Sequence, residues 1–333
     1  MRFTDSQTDA DLPGERAIPW DAAGIGLAGA RPSIVRNPRW LEETRKACGA
    51  FEWVTLAYFA WLEGIVVLFH RNIPHAGLYF VVHLTLAAGI VFLARSAARS
   101  GNAALQFLRH WYPLSLYIFF FEELERLVHA IFPGWFDRWL IAFDYNLAGV
   151  HPSVWLARFA SPGLNDFMQF AYMTYFLYLA ILPAVLYVQR ERFAFWTTMV
   201  STAIANYSIY AIAVLIPIES PYHSLAALQT KTLDGSYCTA LIGLVERFGR
   251  VHGAAFPSAH VAGSMVAILA SWRYRKRLFW ICLPFFACMC VATVYGRYHY
   301  VADVLAGLAV GAIGFSLGTR LMQRKGTLPE IAE

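Results

Sequence analysis

The chain has 333 residues, 58% of them hydrophobic and only 15% charged, and its mean hydropathy is +0.46. Soluble domains carry about 25% charged residues, so composition excludes an ordinary water-soluble fold and points to a polytopic membrane protein. The net charge of +5 is small and the basic residues sit in short loops, a pattern that reports membrane orientation and argues against nucleic-acid binding.

Residues 1–50 are polar, rich in Pro, Gly and Arg, and show no sustained apolar period. They read as a flexible or surface-lying cytoplasmic segment with no cleavable signal peptide. Apolar runs follow at 52–69, 77–94, 111–131, 167–188, 194–217, 258–272, 278–296 and 301–321. Read as helices, they predict an all-α polytopic membrane bundle with about eight transmembrane spans. The 111–131 run is the weakest, because Glu122, Glu123, Glu125, Arg126 and His129 crowd its second half and cannot face lipid. Either these groups line a polar cavity or the helix ends near Phe121. Residues 132–166, with Trp135, Trp139 and Trp155, have the aromatic spacing of an interfacial loop or helix. The short 258–272 run suits a helix that begins inside a site, with the long loop 218–256 leading into it. The last residues, 326–333, are expected to form a cytoplasmic tail.

With the N-terminus inside, eight spans place 19 of the 27 Lys and Arg residues on the inner side. The positive-inside bias therefore predicts that both termini are cytoplasmic, in a plasma or inner membrane, and that His260 and His299 face outward. The five cysteines have neither a disulfide pattern nor metal-ligand spacing, and three of them fall within one apolar run.

The chemistry concentrates between Phe256 and Asp303. Phe256-Pro257-Ser258-Ala259-His260 opens this stretch and Gly296-Arg297-Tyr298-His299-Tyr300-Val301-Ala302-Asp303 closes it, with the basic turn Arg273–Arg277 between two apolar runs. If that turn joins two spans, His260 and His299 return to the same membrane face. His299 and Asp303 are four apart and share a helix face, so Asp303 can orient one imidazole nitrogen and leave the other to attack. Pro257-Ser258 before a helix offers free backbone N–H groups, a ready anion site. For phosphate chemistry without a metal, His299 reads as the nucleophile, Asp303 as its orienting carboxylate and His260 as the general acid and base. Ser258, Ala259 and Arg297 are the candidate phosphate-binding residues; Lys231, Arg247 and Arg250 are further cations in the outer segments. No cofactor and no metal are expected, although His260, His299 and Asp303 are also conceivable metal ligands. Glu219 and His223, in the loop before the site, are weaker candidates.

Pro257-Ser258-Ala259-His260 resembles the Pro-Ser-Gly-His segment of the type 2 phosphatidic acid phosphatase superfamily, and His299-Tyr300-Val301-Ala302-Asp303-Val304-Leu305-Ala306-Gly307 resembles its closing His-x-x-x-Asp segment. The wording Arg297-Tyr298-His299-Tyr300 is similar to the inositol phosphorylceramide synthase branch. The resemblance extends faintly back to Asp144-Tyr145-Asn146-Leu147-Ala148-Gly149. It implies a six-helix phosphatase-like core, a membrane catalytic domain over 111–325 preceded by two extra spans in 51–110, the same roles for His299, His260 and Asp303, and a phospholipid or sphingolipid-type substrate. Two cations of the phosphatases are missing. No Lys or Arg stands in Ala213–His223, and Thr293 occupies the position of an Arg six residues before the final His. A site with fewer fixed cations suits a phosphodiester better than a dianionic monoester, which favours head-group transfer to a lipid hydroxyl over hydrolysis. A lipid phosphate phosphatase is the nearest alternative, and a non-enzymatic transporter, which would show two matching broken-helix halves, is the next.

Overall fold

The computed structural model describes residues 39–249 and 251–324, which lie within one packed unit. The expectations for residues 1–38, Arg250 and the tail beyond 324 fall outside the described residues. The elements in chain order are α1 (Arg39–Ala47), α2 (Ala50–Leu68), α3 (Ala76–Arg99), α4 (Ala103–Leu127), α5 (Asp137–Ala148), α6 (Pro152–Leu156), α7 (Pro162–Val188), α8 (Arg192–Leu215), α9 (Pro221–Ser224), α10 (Tyr237–Gly249), α11 (Ala259–Tyr274), α12 (Lys276–Tyr295) and α13 (Val301–Met322). Among the described residues the only extended pairing is an isolated parallel bridge between Ile218 and Ala254.

All eight apolar runs are helical. Six of the helices, α2, α3, α7, α8, α12 and α13, are long and apolar enough to cross a bilayer, and the chain is an integral multi-pass membrane protein. The other two runs differ for the reasons visible in the sequence: α11 has 16 residues and α4 carries its charge cluster. α4 does not stop at Phe121 but continues to Leu127. It also begins earlier than expected, because the Asn102 side chain accepts from Ala104 N at 2.8 Å and Leu105 N at 3.3 Å and so starts a helix. With α3 running to Arg99, the connection expected over 95–110 shrinks to three residues, 100–102. The interfacial segment 132–166 holds α5 and α6, and the loop 218–256 holds α9 and α10.

α8 is the central helix. Trp196, Val200, Ala203, Ile209 and Tyr210 are buried on every side of it, as expected where apolar residues run all round a helix. It packs against α2, α4, α7, α11 and α13. α11 lies between α7, α8, α12 and α13. Its contact with α13 is close because α13 presents glycine: a Cβ on Gly307 would lie 2.7 Å from Ser258 O, and one on Gly311 2.6 Å from Ala262 O. Small residues permit this approach of two backbones, and it brings the starts of α11 and α13 together.

Two buried ionic groups hold α2, α3 and α4. Arg109 donates through Nε (2.9 Å) and Nη2 (2.8 Å) to Glu52 Oε1, while Glu52 Oε2 accepts from Gly49 N at 2.8 Å. Near the other end, His83 bridges Glu63 Oε1 at 2.9 Å and Glu123 Oε1 at 2.5 Å. Glu123 is therefore bound within the helix bundle, while its neighbour Glu122 faces a cavity.

Candidate active site

Ser258 starts α11. Its hydroxyl accepts from Val261 N at 3.3 Å, and its own N–H donates to Asp303 O at 3.1 Å. The two motif segments are thus hydrogen-bonded to each other through the backbone. The N–H groups of Ala259 and His260 belong to the first turn of α11, where intrahelical acceptors are lacking.

His299 and Asp303 sit on the loop and first turn that follow α12. Thr293 shapes the approach: its carbonyl accepts from Tyr298 N (3.0 Å) and His299 N (3.1 Å), and its hydroxyl donates to Cys290 O at 2.8 Å. The residue that stands in place of an expected Arg is therefore a fully buried turn-former. His299 Nδ1 lies 2.8 Å from Ala255 O and 3.3 Å from Asp303 Oδ2. A carbonyl can only accept, so this contact places the proton on Nδ1 and leaves the Nε2 lone pair open. His299 is 5% exposed and lines the cavity. Asp303 is fully buried, and its Oδ2 also accepts from Tyr300 N at 2.8 Å.

His260 stands beside His299 with ring centroids 5.7 Å apart. Its Nε2 is 2.9 Å from the Tyr172 hydroxyl, and the Tyr172 ring stacks on Tyr298 at 4.4 Å. Tyr175 packs 4.5 Å from the same imidazole. His260, His299 and Asp303 are thus brought together at one place.

Two aspartates of α5 hold the surrounding backbone. Asp144 accepts from Val301 N (2.8 Å) and Ala302 N (3.0 Å), capping α13 next to Asp303. Its carboxyl is held above the usual range by burial, which outweighs these two N–H groups. Asp137 accepts from Glu219 N (2.8 Å), Ser220 N (3.3 Å) and the Tyr300 hydroxyl (2.8 Å). Burial pushes the Tyr300 hydroxyl well above the ordinary tyrosine range, with the Asp137 and Asp303 carboxylates adding to the rise. Ser220 and Arg297, on the two loops joined by the bond from Tyr222 N to Arg297 O, have positive φ values of 139° and 66°. Such backbone strain persists where surrounding contacts over-determine it.

A cavity of about 720 Å³ opens over the histidine pair. Ala259, His260, Tyr298 and His299 line one side, with Glu219, Ser220 and His223 from the preceding loop. α4 contributes Leu114, Tyr117, Ile118, Phe121 and Glu122, and α7 contributes Tyr172, Tyr175, Phe176 and Leu179. Burial, Tyr172 and Glu246 together hold the Tyr298 hydroxyl well above its ordinary range. Ser258 and Arg297 do not line the cavity. Ser258 is buried beneath it, and the Arg297 guanidinium donates to Lys231 O at 2.5 Å, its protonation weakened by burial. Among the described residues no Lys or Arg lines the cavity, whereas the weaker candidates Glu219 and His223 do.

Sequence reasoning missed Ala255, Tyr172 and Asp137, and quoted Asp144 without a role. Tyr172 and Tyr175 are spaced like ordinary core aromatics of a helix. Ala255 acts through its carbonyl, which no side chain announces. Asp137 offered one usable signal, a carboxylate set between Trp135 and Trp139 in the interfacial segment, but nothing in the order of residues tied it to Ser220.

A family model described as the PAP2 superfamily matches residues 138–317, from α5 to α13. No curated protein and no solved structure matches the chain.

Proposed function

Because the chain belongs to the PAP2 superfamily, and so is a membrane enzyme of the phosphatase or phosphotransferase type, we propose that it is a lipid phosphotransferase. It moves a phospho-head group from a phosphodiester lipid through a phosphohistidine to a lipid hydroxyl, in the manner of the inositol phosphorylceramide synthases. The observation that carries this reading is the His299 geometry: Nδ1 is held by the Ala255 carbonyl and Asp303, while Nε2 is left open on a cavity shared with His260.

In the first step His299 Nε2 attacks phosphorus, a P–N bond forms, and the P–O bond to the diacylglycerol-type leaving group breaks. His260 gives its proton to the departing oxygen. Asp303 stabilises the positive charge that builds on His299. In the second step the acceptor hydroxyl loses its proton to His260, its oxygen attacks phosphorus, and the P–N bond breaks. Tyr172, bonded to His260, orients that ring. The Ala259 and His260 N–H groups cradle the phosphoryl oxygens, on a turn shaped by Ser258. Arg297 adds charge when its guanidinium exchanges the Lys231 carbonyl for phosphate. The catalytic domain takes in α4, whose residues line the cavity although the family match begins at residue 138. Both termini lie in the cytoplasm and the site opens on the outer face, supported by the 19 of 27 basic residues on the inner side.

The test is turnover of head-group-labelled phospholipids by the purified protein, with and without added lipid alcohols. Label is expected on the protein in His260→Ala, and none in His299→Ala. Rapid release of inorganic phosphate from a phosphomonoester lipid, indifferent to added alcohols, would instead establish a lipid phosphatase.

A further inference from the structure

Asp137 is the first residue of α5, where an acidic side chain ordinarily serves its own helix end. Here it is 6% exposed, and its carboxylate accepts from three groups, all outside α5. Glu219 N meets Oδ2 at 2.8 Å, while Ser220 N and the Tyr300 hydroxyl meet Oδ1 at 3.3 Å and 2.8 Å. The neighbouring Phe136 N donates to Pro217 O at 2.9 Å. Residues 136 and 137 therefore hold the chain on both sides of Ile218. That residue is fully buried and makes the parallel bridge: its N–H donates to Gly253 O and its carbonyl accepts from Ala255 N, each at 3.2 Å. The carbonyl of the same Ala255 is the nearer acceptor for His299 Nδ1, at 2.8 Å. A second route is shorter, because Tyr300 follows His299 in the chain. Leu140, Ile218, Ala255 and Tyr300 share one buried apolar cluster, so both routes run through a common core. Ser220 keeps its positive φ of 139° while its N–H is held by Asp137.

We propose that Asp137 is a positioning residue for His299: it fixes the Ala255 carbonyl through Ile218 and the His299 backbone through Tyr300, so that the ring proton stays on Nδ1 and Nε2 stays open to phosphorus. This rests on the reading of His299 as the nucleophile and deepens it. Asp137 does not line the cavity, and it stands one residue before the stretch that matches the family. Without its carboxylate three donors lose a buried acceptor, and the loop relieves that cost by moving. The Ala255 carbonyl moves with Ile218, and a shift of about 1 Å takes it out of hydrogen-bond reach of Nδ1. Asp303 Oδ2, at 3.3 Å, is then the remaining acceptor. The two holds on the ring back each other up, so the loss of one weighs more when the other is gone.

The experiment uses the full chain in detergent with nitrogen-15-labelled histidine rings, the His299 signals being assigned by their loss in His299→Ala. At a pH where the ring is neutral, the parent should show the proton on Nδ1, and Asp137→Ala a mixture of both tautomers. Turnover is read with labelled phosphatidylinositol, phosphatidylcholine and phosphatidic acid, using the one that the parent consumes fastest. Asp137→Ala should slow it by about 10–10²-fold, the scale of a displacement of about 1 Å. In an Asp303→Asn background the same substitution should cost at least about tenfold more than in the parent, because the carbonyl is then the last hold on Nδ1. An unchanged tautomer in Asp137→Ala, or equal fold-losses in the two backgrounds, overturns the positioning role even where turnover falls. Asp137→Asn keeps the volume and one acceptor oxygen, so it should lie between parent and Asp137→Ala. It carries the test if the alanine variant does not purify, and a parent-like tautomer and rate in it overturn the proposal. Turnover that survives in His299→Ala overturns the nucleophile reading instead, while the ring signals still decide what Asp137 does.

Discussion

His299 has two acceptors for one proton, and the nearer is a main-chain carbonyl rather than the carboxylate. Where a carboxylate alone fixes the tautomer of a catalytic histidine, its conversion to an amide costs about 10⁴-fold in rate. Here Ala255 keeps the tautomer when Asp303 is changed, and only the stabilisation of developing positive charge is lost. Asp303→Asn is therefore expected to slow labelling of the protein by about 10²–10³-fold, within the range of single charge-stabilising groups. A loss equal to that of His299→Ala would show that the carbonyl does not hold the ring. Asp144 acts one step further out, through the N–H groups of Val301 and Ala302. Asp144→Ala removes a cap worth about 1 kcal/mol and lets the first turn of α13 shift. The expected result is a fall in kcat of about tenfold or more with KM little changed, partly restored by Asp144→Asn; an unchanged kcat would exclude a positioning role. The histidines and Asp303 were legible in the sequence because their residue types and four-residue spacing already imply the chemistry. Ala255 and Asp137 were not, since the first acts through main chain and the second reaches Ser220 and Tyr300 from 83 and 163 positions away.

At the scale of elements, the site depends on how closely α11 and α13 approach. A methyl group at Gly307 would meet the Ser258 carbonyl at 2.7 Å, so the two helix starts must separate. Gly307→Ala is expected to reduce turnover by about 10²-fold, the scale of a displacement of about 1 Å, while the protein still inserts and purifies. Normal turnover would mean that the backbone yields without moving His299. The N-terminal helices are held differently, by ions shielded from water. Arg109→Met leaves Glu52 buried without its partner and should destabilise the detergent-solubilised protein by about 3–5 kcal/mol. Adding Glu52→Leu should recover much of that loss in thermal unfolding; no recovery would show that packing, not charge, is what Arg109 supplies. The helices themselves were readable from apolar run length. The true start of α4 was hidden because Arg109 and His110 look like loop residues until their burial is seen.

For the whole molecule, the turn between α11 and α12 is tied to that between α7 and α8: Arg275 bonds to Gln189 and Glu191. Both turns therefore belong to one face, the face that the proposed orientation puts in the cytoplasm. A cysteine at exposed Arg277, in a background without the five native cysteines, should resist a membrane-impermeant thiol reagent in intact cells, whereas one at Arg247 should react. The reverse pattern would put the histidines on the cytoplasmic side.

The cavity wall supplied by α4 lies outside the residues that match the family. Leu114, Tyr117, Ile118 and Phe121 line the cavity that, on the proposed transfer, the acceptor enters. On the proposed transfer, part of the wall that meets the acceptor thus comes from a stretch outside the one that carries the histidines. Widening that wall would admit water and turn a transferase towards hydrolysis; sealing it would favour alcohols, with every catalytic atom left in place. Divergence among proteins that share these motifs can thus proceed by redrawing a neighbouring helix while the reacting centre stays constant.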